Sequence, residues 1–228
     1  MNKNLKNLKV NFYDNQKLLM EIVPLFFLIA MISVAFYIYP MLPDKVPIHW
    51  NSSGQVDNYG SKLIASFLFP LIYLLFVIFS FLLPAMDVFS DNIKKSYNYY
   101  YAFKIVFGLF FLIIYIATLL PNFGYQFNIA TAVFICVTLL FFFLGYIMRN
   151  IKRNYFFGIR TPWTLTSEKI WDQTHKVGGI VLMAYSVLLL LAILFVQLQE
   201  LYIGFMISLI LVVFFLMFYS YYLYRKEK

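Results

Sequence analysis

Six stretches of this chain are apolar over about twenty residues each, and in 228 residues they leave room for little besides short connections. They run from Ile22 to Tyr39, Leu63 to Leu83, Tyr101 to Leu120, Phe127 to Met148, Val177 to Val196 and Leu201 to Tyr222. At a rise of about 1.5 Å per residue, about twenty residues cross the roughly 30 Å hydrocarbon layer of a bilayer. Each stretch is therefore long enough to span as a helix. Composition agrees: 63% of the residues are hydrophobic and 12% charged, against about 25% charged in an ordinary soluble domain. Such a chain lacks the polar surface that water demands, so lipid is part of its solvent. The expected fold is an all-α membrane protein of six transmembrane helices.

Charge sets the expected direction. Lys3, Lys6, Lys9 and Lys17 precede the first span, Lys94, Lys95 and Lys104 surround the second connection, and Arg149, Lys152, Arg153, Arg160, Lys169 and Lys176 surround the fourth. Arg225, Lys226 and Lys228 follow the last span. All sixteen fall on one side of a six-span chain, and only Lys45 and Lys62 on the other. Basic residues in short loops favour the cytoplasm, so both termini are expected inside a cell membrane. Lys104, within a turn of the cytoplasmic end of its span, is expected to snorkel to the headgroups. The net charge of +8 is accounted for by topology and anionic lipid, and no motif for reading nucleic acid is present. The polar and basic residues before the first span, with no small-residue cleavage site after it, argue against a removable signal peptide.

The chain accordingly divides into an N-terminal segment 1–21, spans one and two over 22–84 with an ordered outer loop 40–62, spans three and four over 85–148, a basic aromatic cytoplasmic loop 149–176, a hairpin of spans five and six over 177–224, and a tail 225–228. Pro70 should bend the second span. Cys136 is the single cysteine and lies in an apolar run, so neither a disulfide nor a thiol metal site is expected. No cofactor or metal is called for.

The outer loop carries closely spaced turn residues. Pro43 and Pro47 favour extended backbone, Asn51 to Gly54 and Asp57 to Gly60 each read as a turn, and the alternation of Val46, Ile48 and Trp50 fits one short strand. His49 and Asp57 are too few for a zinc site. They read either as a structural pair, with Trp50 anchoring nearby, or, together with Asn51 and Gly54, as a surface for an external ligand or peptide.

The cytoplasmic loop is the most informative segment. Gly158 and Pro162 mark bends, and Ser167 before Glu168 is a helix start that should run into span five. On that helix Glu168, Trp171, Asp172 and His175 form one stripe. Two carboxylates and an imidazole on one face suit cation binding or proton movement, but a structural clamp is the stronger reading, with Arg160 paired to Glu168 or Asp172 and with Trp163 and Trp171 wedged at the interface. A docking surface comes next, ahead of cation binding or catalysis.

Both loops resemble known sequences. The pattern Leu42-Pro-x-x-x-Pro-Ile-His-Trp-Asn-x-x-Gly-x-x-Asp-x-x-Gly-x-Lys62 resembles the extracellular loop of a domain of unknown function that begins many bacterial membrane proteins. Asn154-x-x-Phe-Gly-Ile-Arg-Thr-Pro-Trp-Thr-Leu-x-Ser-Glu-x-x-Trp-x-x-Thr-His175 resembles the signature of the SdpI family of bacterial immunity proteins. That resemblance implies a non-enzymatic membrane immunity or sensor protein. It would meet a secreted, membrane-active toxin peptide outside and, inside, signal to or hold a small transcriptional repressor. It places Asn154, Phe157, Gly158, Arg160, Pro162, Trp163, Glu168, Trp171 and His175 in the cytoplasmic coupling motif. The other class open to the sequence is a small-solute transporter or channel, which needs a polar path through the spans. Only scattered hydroxyls, among them Ser66, Ser80, Thr138 and Ser186, are available for one. No catalytic motif supports an enzyme.

Overall fold

The computed structural model describes residues 22–228, so the basic segment 1–21 lies outside the described residues. Among the described residues, six helices are long and apolar enough to cross a membrane. The first, α1, is helical over 22–38 and ends in a short tight turn, Tyr39–Met41. A two-stranded antiparallel hairpin follows, β1 Lys45–Trp50 and β2 Val56–Ser61. The remaining elements are α2 (Lys62–Met86), the short α3 (Ser90–Lys95), α4 (Tyr97–Leu119), α5 (Ile129–Met148), the short α6 (Pro162–Thr166), α7 (Glu168–Ala192) and α8 (Leu198–Glu227). The fold is thus mostly helical rather than all-α. One strand was expected in the outer loop, and its partner was not, because Asp57 to Gly60 reads locally as a turn. Those residues lie instead in β2, where Lys45 faces Ser61 and Val46 faces Gly60. Pairing with β1 supplies the ladder bonds that the polar sequence alone does not suggest.

The hairpin closes one end of the bundle. Val46 and Leu42 are fully buried in the core that α1, α2 and α4 build around Met31, Ala35, Tyr73 and Tyr115. Its turn is fixed by Asn51, whose side-chain oxygen accepts from the amides of Ser53 and Gln55 while its carbonyl accepts from Gly54. Gly54 has φ +83°, a conformation that costs an ordinary side chain about 1–2 kcal/mol. The turn then docks on α5: the Asn128 amide donates to the Ser53 carbonyl at 3.0 Å, and the Asn128 side-chain oxygen caps α5 by accepting from Thr131.

α2 runs helical through both Pro70 and Pro84. A proline has no N–H to give the carbonyl four residues earlier, which leaves Ser66 and Ser80 with free carbonyls in an apolar setting. Two tyrosines of α4 fill the gaps: Tyr115 donates to the Ser66 carbonyl at 2.7 Å and Tyr100 to the Ser80 carbonyl at 3.1 Å. Lys104 differs from expectation. It is 1% exposed, with its ammonium 5.0 Å from the Tyr100 ring centre, because its position one turn beyond Tyr100 faces the interior rather than the headgroups. A cation over an aromatic face recovers part of the electrostatic cost of burial.

α5 and α7 are in tight contact where glycines meet: a Cβ on Gly145 would lie 2.8 Å from the Gly179 carbonyl oxygen. Small residues give close helix contact in lipid, where packing rather than the hydrophobic effect drives association. α8 packs on α7 and presents a long apolar face, including Ile207, Leu211, Phe214 and Phe218, away from the bundle.

Candidate functional site

At the end of the bundle opposite the hairpin, the basic end, the connections 87–96 and 149–167 fold against each other over the starts of α4 and α7. The chain leaves α5 at Arg149 and is turned by Asn154, which is almost fully buried. Its side-chain oxygen accepts from the amides of Phe156 and Phe157, and its amide donates to the carbonyls of Lys152 and Phe157. A buried amide with both its atoms satisfied holds a loop in a single shape. Phe157 then packs against Phe103 of α4, ring centres 4.6 Å apart.

Gly158 makes the next bend at φ +108°. A side chain there would run into the His175 ring, so the loop backbone lies directly on the imidazole. His175 is 1% exposed. Its Nδ1 is 2.8 Å from the Trp171 carbonyl and its Nε2 accepts from the Ile159 amide at 2.9 Å. A carbonyl only accepts and an amide only donates. The imidazole is therefore neutral, with its proton on Nδ1. Its ring stacks on Trp171, 3.9 Å between centres, and the Trp171 indole donates to the Ile151 carbonyl at 2.9 Å. One turn of α7 thus holds both flanks of the loop, at Ile151 and at Ile159.

Beyond Ile159 the loop forms a reciprocal helix cap. The Thr161 hydroxyl accepts from the Thr164 amide and the Thr164 hydroxyl accepts from the Thr161 amide, with Pro162 opening α6. Pro suits the first helical position because its missing N–H would be unpaired there anyway. Thr161 also meets Ser220 of α8 at 3.0 Å, and Trp163 lies against Tyr221 of α8. Ser167 caps α7 as expected, accepting from Ile170, and the helix runs unbroken into the span.

The expected ion pairs are not the ones formed. Arg160 is exposed and donates to the Tyr155 carbonyl at 2.6 Å. Glu168 lies 3.7 Å from Arg153, and Asp172 pairs with Lys152 at 3.3 Å. The bend at Gly158 separates Arg160 from the helix carboxylates, while Lys152 and Arg153, before the bend, face them. The stripe of four also splits: Trp171 and His175 point into the cap, and Glu168 and Asp172 stay exposed. Trp171 is a fully buried core residue rather than an interfacial wedge, since α6 and the loop cover it.

Several contributors had no local signal. Asp87, 5% exposed, accepts from the amides of Phe89 and Tyr155, at 2.6 and 2.8 Å. Phe89 stacks on Tyr155 and lies under the Arg153 guanidinium, 4.4 Å away. Asn92 donates to the Arg153 carbonyl, and Ser96 accepts from the Lys152 amide. On the same connection the Lys94 ammonium, hydrogen-bonded to Asp91, holds that carboxyl below its usual range.

At the hairpin end, His49 and Asp57 meet each other across the strands, with Nδ1 2.5 Å from the carboxylate, and both are exposed. Trp50, Asn51 and Gly54 are half-buried around them. Among the described residues no group of three or more His, Cys, Asp or Glu side chains is placed to hold a metal.

The two ends also divide the sequence likeness. Residues 26–74, which hold most of α1, the hairpin and the first half of α2, match a domain of unknown function, DUF1648. Residues 150–220, which hold the cap, α7 and most of α8, match the SdpI/YfhL protein family. The chain is also 28% identical over 145 residues to the immunity protein SdpI of Bacillus subtilis (strain 168), covering 64% of this chain and 67% of that protein. No solved structure matches the chain.

Proposed function

We propose that this chain is a membrane immunity protein that protects a bacterial cell from a secreted, membrane-active peptide. The observation that carries the reading is its similarity to an immunity protein over 145 residues, in a chain whose family-matched region forms a closed, hydrogen-bonded cap. No residue of that cap is arranged as a nucleophile with a base, and His175 spends both ring nitrogens on backbone groups. The reading is therefore binding rather than turnover.

With the basic end in the cytoplasm and both termini inside, as the positive-inside bias favours, the hairpin faces outward. Its polar and aromatic patch, exposed at His49 and Asp57 and half-buried at Trp50, Asn51 and Gly54, is the first contact for the peptide. The cytoplasmic cap is the coupling surface: exposed Arg160, Pro162 and Glu168, with half-buried Trp163, offer a rim for a small repressor, while Asn154, Phe157, Gly158, Trp171 and His175 hold its shape. Ligand binding outside alters the cap only through different affinity for two arrangements of the bundle. The transporter alternative gains no support from the buried hydroxyls of Ser80, Thr138 and Ser186, each of which donates to the carbonyl of its own helix three or four residues earlier.

The test is survival. Toxin-sensitive cells producing the chain, with its membrane insertion confirmed, should withstand the killing peptide; killing equal to that of empty-vector cells overturns the proposal. Topology is tested separately with single cysteines at Ser53 and Thr166 in a Cys136→Ser background. A membrane-impermeant maleimide on intact cells should label only the first.

A further inference from the structure

Between the first turns of α7 and the last turns of α8 lies an open cleft of about 230 Å³, lined by Lys169, Ile170, Gln173, Leu223, Lys226 and Glu227. None of its side chains takes part in the cap except through Glu227, which accepts from the Ser167 hydroxyl at 3.0 Å and lies 3.9 Å from Lys169. The cleft is layered. Its floor is apolar, Ile170 and Leu223 being buried, and its rim carries the exposed donors Lys169, Gln173 and Lys226. Lys176, one turn further along α7, and Arg225 are exposed beside it.

Its depth in the bundle is fixed by α8. The lipid-facing side of that helix is apolar from Ile203 to Phe218, turns to tyrosine at Tyr221 and Tyr222, and is charged from Arg225. Tyrosines of this kind mark the headgroup layer. The cleft, flanked by Leu223 and Lys226, therefore sits at the height of lipid phosphates, and its mouth is positive while its floor is apolar. A free anion would use the rim and leave the floor wet. A phospholipid headgroup uses both.

We propose that this cleft binds the headgroup of an anionic phospholipid. The phosphate lies between the ammonium groups of Lys169 and Lys226, Gln173 donates to it, and the glycerol and first methylenes cover Ile170 and Leu223. Glu227 stays on Ser167 and accepts from a hydroxyl of the headgroup. The site ties the charged ends of α7 and α8, and through Ser167 the start of the cap, to the composition of the surrounding leaflet. It does not depend on the immunity reading.

The full chain, purified in detergent, is titrated with phosphatidylglycerol, phosphatidylcholine, inorganic phosphate or a polyglutamate peptide, and adducts are counted by native mass spectrometry. The unaltered protein should retain phosphatidylglycerol in preference to phosphatidylcholine. Lys169→Gln/Lys226→Gln should retain it about tenfold or more less, as expected for two lysines near an anionic surface. Lys94→Gln/Lys95→Gln, with the same charge change at the same end of the bundle, should behave as the unaltered protein. All three forms are checked for helicity by circular dichroism, and the cleft variants should fold because the altered side chains are exposed. Equal loss in both double variants would reduce the effect to diffuse charge and overturn the site. Competition by inorganic phosphate at equal concentration would show that only an anion is read, and preferential retention of the peptide would assign the cleft to a protein partner; either outcome overturns the lipid proposal.

Discussion

The Tyr115 hydroxyl donates to the Ser66 carbonyl at 2.7 Å, the carbonyl that Pro70 leaves without its helical partner. In lipid no water can fill that place, so the tyrosine lets a proline sit within a spanning helix. Tyr115→Phe should destabilise the protein by about 0.6–1.7 kcal/mol, the range of hydrogen bonds between spanning helices. In a Pro70→Ala background the restored N–H of residue 70 takes the carbonyl, and the same tyrosine change should cost less. A double-mutant cycle from denaturant-dependent unfolding in detergent checks the coupling. Additivity of the two changes would show that the hydroxyl serves something other than the proline gap.

Gly158 should be hard to replace. Gly158→Ala combines a φ of +108° with a collision against the His175 ring, so a loss of about 2–4 kcal/mol is expected from strain and displaced packing. Gly124 also has positive φ, +86°, but a Cβ there meets nothing within 4 Å; its alanine variant should lose only the backbone term, about 1–2 kcal/mol. Gly204 is helical with open space around it, and Gly204→Ala should be neutral or stabilising by up to about 1 kcal/mol. Thermal melts of the three variants should fall in that order.

How far these positions were readable depends on the range of the interaction that fixes them. The spans are legible because lipid imposes about twenty apolar residues on any crossing helix. The Ser167 start of α7 is legible because a cap is decided within four residues. β2 is not, since Asp57 to Gly60 has turn chemistry and becomes a strand only by pairing with β1. In the cap, Trp171 and His175 were found as members of a helical stripe, but their burial follows from a loop that returns over them. Arg160 reads as a partner for the helix carboxylates close to the membrane, and the Gly158 bend carries it away. Asp87 gave no signal at all, because its partner Tyr155 lies 68 residues further along the chain.

Asp87 is one of the residues that join the two connections of the basic end. Its two oxygens accept from Phe89 and Tyr155. Asn offers one acceptor and places an N–H₂ where the second amide points, so Asp87→Asn should lose one bond and oppose two donors, at about 1–3 kcal/mol. The loop around Tyr155 should open before the bundle does. Limited proteolysis should cut the variant near Arg153 and Arg160 well before the unaltered protein; equal cleavage rates would mean that stacking of Phe89 on Tyr155 holds the connection without the carboxylate.

His175 ties Ile159 to α7 by accepting its amide at Nε2 while its proton stays on Nδ1. His175→Phe keeps a ring against Trp171 but leaves the Ile159 amide buried without an acceptor, a cost of about 1–3 kcal/mol. His175→Asn is smaller, yet it retains a side-chain oxygen to accept and an amide to donate, and should recover part of the loss if the hydrogen bonds matter more than the stack. Reading survival against the toxin beside thermal stability separates two roles. If protection falls in proportion to folded protein in both variants, His175 is a structural clamp. If the Phe variant remains folded in the membrane at normal levels and still fails to protect, the register that His175 sets between the loop and α7 is what the immunity function requires.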